Sequence, residues 1–171
     1  MADLFEDETR AEPQDAPRPD APLADRLRPS SLDEVVGQEH LTGPDGAIGR
    51  MVAAGKLSSL ILWGPPGTGK TSIARLLADA VGLRFVALSA VFSGVADLKR
   101  VFAEARQAAK MGQKTLLFVD EIHRFNRAQQ DGFLPYVEDG TVTLVGALRM
   151  LAGGITLPVS FALRHAAFCA L

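Results

Sequence analysis

Four short apolar runs divide the chain, and segments with helical periodicity separate them. The runs are SLILW, RFVALSA, TLLFVD and VTLVGA, at 59–63, 84–90, 115–120 and 142–147. Nearly continuous apolar character is typical of strands that are covered on both faces of a sheet. Strands of this kind that alternate with helices predict an α/β fold built on a parallel sheet.

Charge and cysteine content narrow the class of protein. The 171 residues include 18 basic and 20 acidic side chains, a net charge of −2, so any surface for nucleic acid has to be local. The one cysteine, Cys169, cannot form a disulfide within the chain and fits a reducing cytoplasm. We expect no membrane span, because the apolar stretch between Arg149 and Arg164 is short and contains glycine and proline. We expect no secretion signal in the amino-terminal segment, because it is acidic and has no apolar run.

The octapeptide GPPGTGKT follows the first apolar run and precedes the helical pattern SIARLLADA. It matches G-x-x-x-x-G-K-[ST], in which glycines let backbone N–H groups point at phosphate oxygens and the following helix directs its positive end at the same anion. We expect Lys70 to contact the β- and γ-phosphates of ATP and Thr71 to bind Mg²⁺. A chance match by a glycine-rich turn is the alternative. The predicted nucleotide ligands of this loop are Gly64, Pro65, Pro66, Gly67, Thr68, Gly69, Lys70 and Thr71.

The third apolar run ends in two acids, Asp120 and Glu121. Beside a phosphate-binding loop, the first acid is expected to hold the magnesium ion of ATP. The second is expected to orient and deprotonate the attacking water. A solvated strand end is the plain alternative, but the carboxyl ends of parallel strands gather around one ligand.

The segment 95–110 has the pattern of an amphipathic helix. Its basic side chains Lys99, Arg106 and Lys110 share one face and are candidate DNA contacts; an ordinary solvated stripe is the alternative. Its expected apolar face comprises Leu98, Val101, Phe102, Ala105 and Ala109.

Longer stretches resemble a known family. The segments LADRLRPSSLDEVVGQEHLTGPDGAI and LSSLILWGPPGTGKTSIARLLA resemble AAA+ ATPases of the clamp-loader and RuvB branch, and LFVDEIHRFNRAQQDGFLPYVEDGTVTLVGA resembles the RarA (MgsA) family. The resemblance covers about residues 23–147. It implies a P-loop NTPase sheet and a DNA-stimulated, Mg²⁺-dependent ATPase at stalled or gapped replication forks. It also implies that Val36 and Gly37 lie beside the adenine, and that Lys99, Arg106 and Lys110 face DNA in a ring.

The family resemblance also implies partners and a location. Its members form homo-oligomers, bind DNA at forks, gaps and ends, and work in the cytoplasm at the nucleoid. A sliding clamp or a single-strand-binding protein is a further possible partner, and Asp3–Phe5 in the amino-terminal segment is a candidate clamp ligand; an incidental apolar pair is the alternative. A clamp-loader subunit, a RuvB-type branch-migration motor and a non-catalytic nucleotide-binding regulator remain alternative functions.

The sequence departs from the family pattern after TVTLVGA. Residues 148–171 contain no acidic residue, and the family's polar sensor, arginine finger and lid have no counterpart there. We expect a disordered acidic, proline-rich arm over 1–22, an incomplete ATPase core over 23–147 and a divergent tail over 148–171. The P-loop strand should then be an exposed edge, and hydrolysis should be impaired without the arginine of a neighbouring subunit. A frameshift or truncation near Ala147 and a genuine short variant are both open.

Overall fold

The computed structural model describes residue 23, residues 27–149 and residues 167–171. The strands are β1 (Leu60–Gly64), β2 (Arg84–Ser89), β3 (Thr115–Asp120), β4 (Val142–Arg149) and β5 (Ala167–Ala170). The helices are α1 (Glu39–Thr42), α2 (Ala47–Ala53), α3 (Lys70–Ala80), α4 (Val95–Lys110), α5 (Arg127–Asp131) and α6 (Leu134–Glu138), with 3₁₀ turns at Leu32–Glu34 and Ile122–Arg124. The predicted arm of residues 1–22, and residues 150–166 of the tail, lie outside the described residues.

The strands form one parallel sheet in the order β2-β3-β4-β1-β5. The four apolar runs of the sequence supply β1 to β4, and helices connect these four strands in turn. The predicted α/β fold with a parallel sheet is therefore confirmed. This order also places β4 between β3 and β1, the two strands that carry the predicted nucleotide motifs.

The expectation that β1 forms an exposed edge is wrong. β5 pairs with β1 in parallel, with Leu60 opposite Ala167 and Trp63 opposite Ala170. The backbone N–H of Leu171 continues this ladder by donating to the carbonyl oxygen of Trp63 at 2.9 Å. The physical reason is that a short apolar run in the tail supplies a strand, so the P-loop strand has a neighbour on both sides.

Alternate residues of the central strands pack on opposite faces of the sheet, as strand geometry requires. On β1, Leu60 and Leu62 join one core with residues of α2 and α3, whereas Ile61 joins the other core with residues of α4. Because both faces are covered, β1 is fixed in position from both sides. The loop that leaves its carboxyl end therefore starts from a rigid support.

The longest helix, α4, lies against the sheet through one face. It buries Leu98, Val101, Phe102, Ala105 and Ala108, so the predicted face is confirmed except that Ala108 is more buried than Ala109. The carboxylate of Asp97 accepts a hydrogen bond from the backbone N–H of Gly94 at 2.9 Å and caps the first turn. None of the helices in the described ranges has the length and apolar character needed to cross a membrane.

Candidate nucleotide-binding site

The strand order brings three strand ends together at the carboxyl edge of the sheet. β1 ends at Gly64, where the predicted phosphate loop begins, and β3 ends at Asp120. Between them, β4 ends at Arg149, whose Cα is paired in register with that of Gly64. In open α/β sheets, ligands bind outside the carboxyl ends of the strands, so these three ends define the candidate site.

The phosphate loop has the backbone that its glycines predict. Gly67 and Gly69 adopt positive φ angles of 84° and 80°, a conformation that is unfavourable for residues with a Cβ atom. An added Cβ at either position would meet no atom within 4 Å, so open space borders the loop. The 11-residue helix α3 begins directly after it, at Lys70. Its positive dipole end is therefore available to an anion at the loop.

The ammonium group of Lys70 folds back over the loop. Its Nζ donates to the carbonyl oxygens of Gly64 at 3.1 Å and Pro65 at 2.7 Å, and to the Oγ1 of Thr68 at 3.1 Å. All three acceptors are neutral, and within the described part of the chain Lys70 forms no salt bridge. Burial lowers the pKa of Lys70, the nearby charge of Asp120 opposes that effect, and the positive charge of Arg149 adds to it. A partly buried cation with neutral partners fits a phosphate anion.

The residues predicted to bind magnesium supply oxygen atoms. Asp120 is exposed at the end of β3, and its Oδ1 accepts a hydrogen bond from the backbone N–H of Glu121 at 3.0 Å. Thr71, also exposed, lies in the first turn of α3. No cluster of three or more His, Cys, Asp or Glu side chains suited to a metal occurs among the described residues. One carboxylate and one hydroxyl fit Mg²⁺, which keeps several waters and shares its shell with nucleotide phosphates.

Glu121 is held in an unusual conformation. Its φ of 54° and ψ of 39° lie in the left-handed region, and it is the one described non-glycine residue with positive φ. Such strain costs on the order of 1–3 kcal/mol and occurs mainly at functional sites. The conformation turns the chain sharply after β3 and leaves the Glu121 side chain 15% exposed.

Three basic side chains surround the Glu121 carboxylate. Its Oε2 lies 3.3 Å from the Nε of Arg124 and 3.3 Å from the Nε2 of His123. Its Oε1 lies 3.7 Å from the Nε of Arg149. Arg149 was not among the site residues predicted from the sequence, and it lies in the segment assigned to the divergent tail. The available signal was its place as the first polar residue after the apolar run of β4.

Val36 and Gly37 form the segment that was predicted to lie beside the adenine. The 3₁₀ turn Leu32–Glu34 packs against α3, the helix that follows the phosphate loop. Val36 and Gly37 come shortly after this turn and therefore lie near α3. Val36 is 89% exposed, and Gly37 has a φ of 83° with its N–H donating to Glu39 at 2.9 Å. An exposed apolar side chain can cover a base, but contact with adenine stays a prediction for both residues.

The three predicted DNA contacts lie on a separate surface. Lys99, Arg106 and Lys110 line one shallow depression of about 500 Å³ on the outer face of α4, together with Ala103, Gln107 and Tyr136. The guanidinium carbon of Arg106 lies 4.6 Å from the centre of the Tyr136 ring, and that ring stacks on Phe102 at 4.0 Å with an interplanar angle of 8°. The sequence pattern grouped the three cations correctly but gave no sign of the tyrosine from α6.

Comparison with known proteins gives a family and several relatives. The model of the family described as "ATPase family associated with various cellular activities (AAA)" matches residues 60–149. Replication-associated recombination protein A of Coxiella burnetii is 53% identical over 126 residues, 74% of this chain and 28% of that protein. Its counterpart in Escherichia coli K12 is 49% identical over the same shares. The Dictyostelium discoideum "ATPase WRNIP1" is 46% identical over 74% of this chain and 14% of that protein.

Solved structures similar to this chain include those of a DNA branch migration motor. The Thermotoga maritima RuvB Holliday junction branch migration motor has a TM-score of 0.63 and 29% identity, covering 85% of this chain and 48% of that one. The chain spans just over a quarter of the length of the curated RarA relatives. Both the family model and the solved structures agree with the α/β fold described above. The resemblance to RarA is thereby confirmed over about three quarters of the chain, and the chain belongs to the AAA family of ATPases.

Proposed function

We propose that this chain is the nucleotide-binding core of an ATPase that acts on DNA during replication and recombination. The observation that carries the proposal is the meeting of the phosphate loop, Asp120 and Glu121 at one edge of the sheet. Similarity to proteins named for replication-associated recombination supports the process. Work on chromosomal DNA would place the protein in the cytoplasm at the nucleoid, and assembly of several copies, as expected from the family, would complete the site.

Each residue at this edge of the sheet has a separate role in the proposed hydrolysis of ATP. Lys70 would leave its carbonyl partners and donate to the β- and γ-phosphates of ATP. Thr71 and Asp120 would hold Mg²⁺, which neutralises charge on the phosphates when bound. Glu121 would accept a proton from the attacking water. Its fixed, strained backbone serves this step, because a base has to be held within hydrogen-bond reach of the water.

The basic depression on α4 suits the backbone of DNA. Lys99 and Lys110 are exposed cations, and Arg106 is kept in place by the Tyr136 ring. Cations of this kind contact phosphates without reading the base sequence. We therefore propose that this depression follows a DNA strand at forks, gaps or ends, where structure rather than sequence defines the target.

DNA binding at this surface is tested with the triple variant Lys99→Ala, Arg106→Ala, Lys110→Ala. Fluorescence anisotropy of a labelled forked DNA should show weaker binding, and the slope of log K against log salt should fall by about 2–3, because three phosphate contacts are lost. The matched control is Arg100→Ala, an exposed cation of the same helix outside the depression. An unchanged salt slope in the triple variant would remove this surface from the proposal.

A nucleotide-binding regulator without catalysis is the second candidate. The observation that favours it is that both oxygen atoms of Glu121 face basic side chains. The variant Glu121→Gln distinguishes the ATPase from the regulator. In an ATPase, the variant should still bind ATP but lose hydrolysis. In a regulator, both partner binding and its dependence on nucleotide should be unchanged.

A sliding-clamp contact is proposed for Asp3–Phe5, which lie outside the described residues. Clamp pull-down with the full chain and with the double variant Leu4→Ala, Phe5→Ala tests it. Equal recovery of both forms would contradict the proposed clamp contact.

A further inference from the structure

Tyr136 on α6 and two side chains of α4 form a three-layer stack. The rings of Phe102 and Tyr136 lie 4.0 Å apart between their centres, with an interplanar angle of 8°. The guanidinium carbon of Arg106 lies 4.6 Å from the centre of the same Tyr136 ring. Because Phe102 fills one face of that ring, the guanidinium group has to lie on the other face. Phe102 is buried and Arg106 is exposed, so the stack runs from the core to the surface.

The guanidinium group at the outer end of this stack has no carboxylate bound to it. Within the described ranges, the salt bridges of arginine side chains do not involve Arg106; they are formed by Arg84, Arg100, Arg124, Arg127 and Arg149. The carboxylate of the neighbouring Asp139 accepts a hydrogen bond from the backbone N–H of Thr141 at 2.8 Å. The Tyr136 ring therefore fixes the guanidinium group from below, and its solvent side is available to a ligand.

A planar aromatic group is the ligand that suits this surface. A guanidinium group is planar and weakly hydrated, and it stacks on aromatic faces. Unpaired bases of nucleic acids stack on arginine in this way, whereas the bases of a duplex already stack on one another. Lys99 and Lys110 line the same depression and lie about 10 Å and about 6 Å from Arg106 along the helix axis. The phosphates on either side of a stacked base would therefore each meet a cation.

We propose that Arg106 is a stacking platform for one unpaired base of single-stranded DNA. The base forms a fourth layer on the guanidinium group, while Lys99 and Lys110 bind the neighbouring phosphates. Tyr136 is a positioning residue, because it acts through Arg106. Every base has a face that can stack, so this surface selects unpaired strand over duplex without selecting a sequence. The inference rests on the proposed DNA surface and specifies the form of DNA that it binds.

Two labelled strands with equal numbers of phosphates test the platform. Fluorescence anisotropy compares an oligothymidylate of about 15 nucleotides, which is within the usual range of single-strand sites, with a strand of equal length that has no bases. The unchanged chain should bind the oligothymidylate about fivefold more tightly, because one stacked base adds a cation–π contact. Arg106→Lys keeps the charge but loses the planar group, so this ratio should fall to about one. Arg100→Lys is the matched control and should keep the ratio, since Arg100 is an exposed arginine of α4 outside the depression.

The same ratio tests the positioning role of Tyr136. Tyr136→Leu should lower the ratio at least about twofold although Arg106 is unchanged, because leucine offers no ring face to the guanidinium group. Tyr136→Phe, the conservative variant, should restore the ratio. An unchanged ratio in Arg106→Lys or in Tyr136→Leu would overturn the platform, and so would equal binding of the two strands by the unchanged chain. Failure of the unchanged chain to bind either strand would instead overturn the proposed DNA surface and this inference with it. Circular dichroism at the assay temperature would show that all variants are folded.

Discussion

Gly146 on β4 connects core packing to the catalytic edge. A Cβ atom added there would lie 2.7 Å from the Cδ1 of Ile61 and 3.1 Å from two side-chain carbons of Ile122. All three atoms belong to fully buried side chains. Ile122 directly follows Glu121, so Gly146→Ala should both strain the core and displace the proposed base.

The size of the effect follows from these contacts. Overpacking a core destabilises a protein by about 1–3 kcal/mol. We expect about 2 kcal/mol here, because the new Cβ makes one severe contact and the atom it meets is the end of a flexible side chain. Alanine has less conformational freedom than glycine in the unfolded chain, and this effect stabilises the folded state by about 0.5 kcal/mol. The net destabilisation of about 1.5 kcal/mol should lower the thermal midpoint by about 3–6 °C in a domain of this size.

Denaturant unfolding of four proteins measures the effect and its cause. They are the unchanged chain, Gly146→Ala, Ile61→Val and the double variant. Ile61→Val alone should cost about 1 kcal/mol, but it also removes the atom nearest to the new Cβ. The double variant should therefore cost about 1 kcal/mol less than the sum of the single changes. Costs that add to within about 0.5 kcal/mol would refute the reasoning, because contact residues are expected to couple.

Three further predictions address the loop, the tail and the α4 surface. Lys70→Ala should weaken ATP binding at least about 100-fold by calorimetry, since two charge-assisted phosphate contacts are lost; unchanged affinity would contradict the assignment. Cys169 is buried beside β1, and burial raises the pKa of its thiol. Its alkylation at pH 8 should be at least about tenfold slower than in denaturant and should rise as pH increases through the raised pKa; equal rates would contradict the docking of β5. Tyr136→Leu should destabilise the chain by about 1–2 kcal/mol through the lost ring stack and cation–π contact, and no change in the urea midpoint would count against both.

The parts of the fold that sequence predicted are those whose signal is local. The strands β1 to β4 appear as apolar runs, and the phosphate loop is a contiguous motif with its strand and helix in place. The turn at Asp120 and Glu121 is equally local. Their mutual approach was predictable because parallel strand ends meet at one edge.

The missed features depend on contacts between distant segments. β5 is a four-residue apolar strand with no motif, and its pairing with β1 depends on tertiary packing. The place of Arg149 follows from the register of β4 against β1, which periodicity does not specify. Tyr136 lies beneath Arg106 because α6 docks against α4, and its own short helix gives no sign of that neighbour.

The most direct test of the central claim compares ATP binding and single-turnover hydrolysis in the unchanged chain and in Glu121→Gln. The account predicts that both proteins bind Mg·ATP with affinities within about threefold of each other. It predicts that the hydrolysis rate falls at least about 100-fold in Glu121→Gln, because a general base typically accelerates a reaction by about 10²–10⁴-fold. Equal hydrolysis rates in the two proteins would contradict the role of Glu121, and failure of the unchanged chain to bind Mg·ATP would contradict the site.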